Sequence, residues 1–177
     1  TRDPSSAASD VYKRQTGSSA GPHLHFEIRD TKTQKPINPL SCNLEVKDDI
    51  APVIKKLKVY FFDLDSSTVL NCKKNNNYYI KEIIQTNGKI AFGVNCYDQH
   101  NGSRNINGVY SIDLYCDNVK VYRFEANKLD FSKNRYINNH IDYYEKHVNR
   151  IKFHKCYVYI NNNLEKYVDV LNRGIIN

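Results

Sequence analysis

From residue 53 onward the chain is written in short alternations of apolar and polar residues, separated by clusters of Asn, Asp and Gly. A period of two marks strands with one buried face. Val53 to Phe62 opens the series. Ile54 starts one apolar set, while Leu57, Val59 and Phe61 continue one step out of phase, which predicts a β-bulge between them. Tyr78 to Ile84 is a second predicted strand. Lys89 to Tyr97 is a third, with Ile90, Phe92, Val94 and Cys96 on one face, and Gly108 to Cys116 a fourth, with Tyr110, Ile112, Leu114 and Cys116. Asp117-Asn118 predicts a tight turn into Val119 to Glu125, a hairpin. Lys152 to Ile160 resumes the pattern, Asn161-Asn162-Asn163 is a turn, and Leu164 to Asn177 reads as the start of one more strand pair. The expected fold is mainly β, with residues 45–177 forming an antiparallel immunoglobulin-like β-sandwich.

One segment breaks the alternation. In Phe131 to His147, residues Tyr136, Ile137, His140, Ile141, Tyr143 and Tyr144 recur at spacings nearer to helical. They predict one short helix or a compact crossover, with Ser132 as cap. Ahead of the sandwich, Ser41 to Asp49 is a polar linker closed by Pro52, which fixes an extended start.

The chemistry lies further upstream, in Thr16-Gly17-Ser18-Ser19-Ala20-Gly21-Pro22-His23-Leu24-His25-Phe26-Glu27-Ile28-Arg29. A glycine-rich turn feeds a strand with Leu24, Phe26 and Ile28 on one face and His23, His25 and Glu27 on the other. Residues two apart on a strand are separated by roughly 6.5 to 7 Å. One imidazole can then hold a metal while its neighbour reaches a metal-bound water. Two strand histidines on a solvated polar face are the plain alternative.

The string resembles the last motif of the lysostaphin/LytM-type zinc endopeptidases, a Thr-Gly-x-Ser-x-Gly-Pro-His-Leu-His-Phe-Glu run followed by Pro-Val/Ile-Asn-Pro. Pro36-Ile37-Asn38-Pro39 supplies the second part, so the resemblance covers residues 16 to 40. It implies that His25 is a zinc ligand and that His23 is the catalytic imidazole beside the metal-bound water. Ser18, Ser19 and Gly21 would line the substrate groove, and Glu27 would be a supporting or edge residue. The implied reaction is hydrolysis of peptide cross-links in bacterial peptidoglycan by a zinc-activated water, in the cell envelope or periplasm. The family's two other ligands come from an earlier His-x-x-x-Asp motif, and none accompanies His100, His140, His147 or His154. A catalytic zinc takes three protein ligands and an open position. The chain alone is therefore expected to hold zinc weakly and to be inactive. The expected organisation is the end of a peptidase domain over residues 16–44, followed by the accessory sandwich. Other readings are a non-catalytic scaffold of the same family that regulates wall hydrolases, and an independent wall-binding or adhesion module.

Residues 3 to 15 resemble the translation of sequencing-adapter read-through, or else form a Ser/Ala-rich linker, and residues 1–15 are left out of the fold. Methionine is absent, so Thr1 is not expected to be a natural start. A hydrophobic content of 40% with 25% charged residues is globular. The net charge of +7 is spread over scattered lysines and arginines without a nucleic-acid signature, so it is expected to be a solvated surface, with no nucleic-acid partner. No apolar run is long enough for a membrane span.

Five cysteines, Cys42, Cys72, Cys96, Cys116 and Cys156, form no Cys-x-x-Cys pair. Cys96 and Cys116 fall in phase with apolar faces, as small buried hydrophobes. Asp98, Asn101 and Asn105 lack the spacing of a calcium loop and read as a hairpin loop. His140, His147 and His154 read as solvated loop and helix histidines, and most tyrosines as cross-strand packing.

Overall fold

The computed structural model describes residues 26–44, 46–127, 130–159, 168–170 and 172–177. The fold is mainly β. A small antiparallel hairpin of β1 (Ile28–Arg29) and β2 (Pro36–Ile37) comes first, followed by β3 (Val53–Phe61) and β4 (Ser66–Asn71). The short pair β5 (Lys73–Lys74) and β6 (Tyr78–Tyr79) precedes β7 (Ile90–Tyr97). β8 (Ser111–Cys116), β9 (Val119–Glu125), β10 (His154–Lys155) and β11 (Val168–Val170) complete the order. One antiparallel sheet runs β10-β7-β3-β4 and another runs β11-β9-β8. Between β9 and β10 the chain crosses over through a 3-10 segment (Phe131–Tyr136), one α-helical turn, α1 (Ile137–His140), and a wide π-type turn (Glu145–Asn149). Among the described residues no helix is long and apolar enough to cross a membrane.

Local chemistry explains the elements. The predicted bulge is present, because the β3–β7 register shifts between Ile54 and Lys56. Beyond it Leu57 faces Val94 and Val59 faces Phe92, while Lys58 faces Gly93 and Tyr60 faces Ala91. One face of the sheet is thus apolar, and the other pairs long polar side chains with the smallest residues. The β8–β9 turn has Asp117 at φ 48° and Asn118 at φ 65°, the doubly left-handed geometry that suits a two-residue hairpin and that Asp and Asn tolerate.

The two sheets share a core. Tyr122 from β9 packs with Cys156 and Val158, and Phe92, Val94, Ile112, Leu114 and Phe124 close around them. Val59 and Phe153 are also fully buried. Gly174 (φ 74°) lets residues 173–175 pass closely over the segment just after β10: a Cβ there would lie 2.3 Å from the Cys156 carbonyl oxygen. Val158 N–H donates to Arg173, and Ile176 exchanges both backbone hydrogen bonds with Ile90.

Several expected elements are shorter than their patterns. The strand expected from Gly108 begins at Ser111. Tyr110 is 43% exposed and its hydroxyl donates to Glu125, while Ile112, Leu114 and Cys116 keep the alternation. Of Tyr78 to Ile84 only Tyr78–Tyr79 pairs, and Ile83, beyond the pairing, is 89% exposed. The strand expected over Lys152 to Ile160 reduces to His154–Lys155, although Cys156 N–H still donates to Phe92. In Leu164 to Asn177 the described strand is Val168–Val170, paired with β9. Ser132 is not the cap of the crossover. The Asp130 carboxylate takes that place, accepting from the Ser132 N–H and hydroxyl. Asn is a weak former of helix interiors, and Asn138 and Asn139 fall where three short turns replace one helix.

Replacing Phe153 by Ala removes a ring that is 0% exposed, and is expected to cost about 3 to 5 kcal/mol. Urea unfolding with an unchanged slope and a lowered midpoint is the check.

Candidate functional site

Ser18, Ser19, Gly21, His23 and His25 all lie outside the described residues. The described residues begin at Phe26, which is exposed, and Glu27, which is ion-paired with Arg29. The β1–β2 register sets Ile28 opposite Ile37 and Arg29 opposite Pro36, so the end of the histidine string and the Pro-Ile-Asn-Pro segment are direct neighbours. The turn between them is held by Asp30, whose carboxylate accepts from the N–H of Lys32 and Thr33 and from the Thr33 hydroxyl. This hairpin is anchored to the connection between β9 and β10. Asn38 N–H donates to Asn127, and Lys35 lies 2.8 Å from Asp130. The Lys35 hydrogen bond, with that of Ser132, brings the Asp130 carboxyl down to about 2.

Two buried polar clusters flank β7. The first is a histidine pair, and it corrects the expectation that these residues are solvated. His154 lies beside Val94 on the inner face, and His140, from the end of α1, reaches it. His140 Nε2 and His154 Nδ1 are 2.9 Å apart, and Tyr122 Oη is 3.3 Å from His140 Nδ1. The His140 ring stacks on Phe124 at 4.1 Å. His154 Nε2 is buried without a partner. An unpaired buried N–H is costlier than an unpaired lone pair, so the proton order runs from His154 Nδ1–H to His140 Nε2 and from His140 Nδ1–H to Tyr122. Burial depresses both imidazoles, aided for His140 by His154, to about 3 for His140 and about 4 for His154. His147 is exposed, its ring tilted against Tyr143. His100 binds Asp48, and Asn101 binds Asp49, tying the linker to the 98–107 loop.

The second cluster sits on the opposite face. Lys58 and Lys155 flank Gly93 on either side of β7, which corrects the reading of the lysines as wholly solvated. Lys58 is 5% exposed, and its Nζ is 2.9 Å from Asp142 Oδ2 and 2.8 Å from Glu145 Oε1. Tyr60 donates to Asp142 Oδ2 at 2.8 Å, the Glu145 N–H donates to Asp142 Oδ1, and Asn149 donates to Glu145 Oε2. Burial pushes both carboxyls up, but the hydrogen bonds, those of Lys58 foremost, hold them below their ordinary values. Desolvation and the bond to Asp142 raise the Tyr60 phenol. Burial lowers Lys155.

Between the sheets lies a cavity of about 340 Å³ lined chiefly by Ile54, Leu57, Phe92, Val94, Ile112 and Leu114. Cys96 and Cys156 border it as free thiols. Burial raises them to about 11 and about 12, so they are protonated and poorly nucleophilic at neutral pH. Cys116 is only partly buried. Among the described residues no group of three or more His, Cys, Asp or Glu could hold a metal.

Sequence reasoning missed the Lys58 cluster because Lys56, Lys58 and Tyr60 alternate like a solvated face. The available signal was the small pair Ala91 and Gly93, which makes sense only once the register is known.

The histidine pair predicts acid sensitivity. Both rings are neutral when folded, and the unfolded value is 6.5. Their stabilisation is complete above that pH and is lost as pH falls through the window towards the folded values, because the unfolded chain binds more protons there. Urea midpoints should fall from pH 7 to pH 4, and less steeply when both histidines are replaced by Phe.

Comparison with protein-family models, curated proteins and solved structures finds no match, so the functional reading rests on the residues of this chain.

Proposed function

We propose that the chain belongs to a zinc-dependent endopeptidase of the bacterial cell wall, with residues 16–44 closing the peptidase domain and residues 45–177 forming an accessory immunoglobulin-like sandwich. The observation that carries this reading is the Thr16 to Arg29 string together with Pro36-Ile37-Asn38-Pro39. The direct pairing of Ile28–Arg29 with Pro36–Ile37 supports it, since it makes the two separated parts of the motif adjacent. The substrate class is cross-linked peptidoglycan, and the setting is the cell envelope.

The chain by itself does not fit a catalytic zinc. It offers His25 as one ligand, the described residues contain no cluster of metal donors, and three protein ligands are needed. In this proposal the remaining ligands come from a His-x-x-x-Asp segment outside these residues.

The test compares two proteins, the present chain and the same chain extended by the sequence its gene encodes upstream. After dialysis against a mild chelator, the present chain is expected to keep no stoichiometric zinc and to leave cross-linked wall peptides intact. The extended protein is expected to keep one zinc and to cleave them. His25→Ala should remove both properties, and His23→Ala should remove cleavage while keeping the metal. Stoichiometric zinc on the present chain, or an upstream sequence with no wall-hydrolase segment, would overturn the proposal.

A further inference from the structure

The Lys58 cluster has the composition and geometry of a reaction centre whose substrate is the protein itself. A primary amine and two carboxyls converge within hydrogen-bond distance, 84 residues separate the amine from the nearer carboxyl in sequence, and all three groups are buried. Aromatic rings wall the site: the ring of Tyr60 lies 5.0 Å and that of Phe153 5.9 Å from Lys58 Nζ. Holding an amine and a carboxyl in fixed contact turns an otherwise bimolecular condensation into a unimolecular one.

We propose that Lys58 and Asp142 are joined by an intramolecular amide bond, formed by the folded protein itself with Glu145 as the proton relay. The two reactants start as ammonium and carboxylate. Glu145 takes a proton from Nζ and passes it to Asp142 Oδ2, so that a neutral amine meets a neutral acid. The amine lone pair attacks Cγ, the C–N bond forms, and negative charge develops on Oδ1. The Glu145 backbone N–H, 3.1 Å from Oδ1, is placed to stabilise that charge. Glu145 then takes a second proton from the nitrogen and passes it to Oδ2, whose bond to Cγ breaks to release water. The sum is one amide and one water from one ammonium and one carboxylate. Glu145 ends as it began, and no oxidant, metal or cofactor enters.

The surroundings suit the product as well as the reactants. Tyr60, which donates to Oδ2, contacts the oxygen that departs, and Asn149 fixes the other oxygen of Glu145. The reaction removes one positive and one negative charge from a cluster of two lysines and two carboxylates, so Lys155 and Glu145 remain as a balanced pair.

Intact-mass spectrometry of the purified 177-residue chain tests this directly. The expected mass is one water lighter than the sequence requires, and proteolysis should yield a branched peptide joining the Lys58 and Asp142 segments. Lys58→Met should have the full mass of its sequence. Glu145→Gln, checked for native far-ultraviolet circular dichroism, should also keep its full mass or lose water much more slowly. The measurement on the unaltered chain does not depend on any variant folding. A full-mass chain after prolonged incubation under folding conditions would overturn the proposal. So would a lost water located anywhere other than between Lys58 and Asp142, and cross-linking in folded Glu145→Gln at the unaltered rate would remove the role given to Glu145.

Discussion

A lysine ammonium buried in the middle of a central strand constrains everything packed around it. Taking such a charge out of water is tolerated only if opposite charge and hydrogen bonds replace the lost solvation. For Lys58 the partners are Asp142 and Glu145, both supplied by the crossover between β9 and β10. Room for the side chain comes from Gly93 across the strand pair. A Cβ at Gly93 would sit 3.0 Å from the Tyr60 hydroxyl, so a larger residue there would press on the neighbouring tyrosine that bonds Asp142. The crossover cannot be a detachable surface helix, because its carboxylates neutralise the sheet beneath it.

The same crossover also serves the opposite face. His140, two residues before Asp142, enters the inter-sheet core and meets Tyr122 and His154. Ile141 bridges His154, and Asp142 N–H donates to Phe153, so the backbone between the two clusters runs as an extra edge beside β10. One short stretch therefore joins an ionic cluster on one side of the sheet to a neutral imidazole pair on the other. The N-terminal hairpin is attached close by, through Asp130 at the start of the crossover and Asn127 just before it. These contacts tie the β1–β2 hairpin to the connection between the two sheets.

Much of the strand architecture was legible from residues. The bulge after Ile54, the Asp117-Asn118 turn and the inward set Ile112, Leu114 and Cys116 are local consequences of side-chain period and turn chemistry, and none of the three requires knowledge of a partner strand. Tyr110 and Ile83 mark where that reasoning ends, since an alternating pattern continues past the point at which a neighbouring strand is present to pair with it. The burial of His140 and His154 was illegible for a related reason. Their contact joins α1 to β10 across the core, and no spacing along the chain announces it. For the candidate metal site the situation is reversed. His23 and His25 are conspicuous in sequence, yet they lie outside the described residues, and the structure speaks only to the adjacent hairpin.

Buried ion clusters are weak contributors to stability, since desolvation offsets most of their attraction, and apolar replacements of the same shape often do better. The polar inner workings of this fold are therefore poorly explained by stability alone. The thiols offer no alternative reinforcement: all five cysteines are free, and Cys96 and Cys156 are held protonated by burial. An amide between β3 and the crossover would change the balance. It would convert the costliest charges into a neutral, hydrogen-bonding group and close a long loop covalently, restricting the unfolded chain as a disulfide does but without dependence on redox conditions. Such a link would secure the crossover that anchors the hairpin to the sheets.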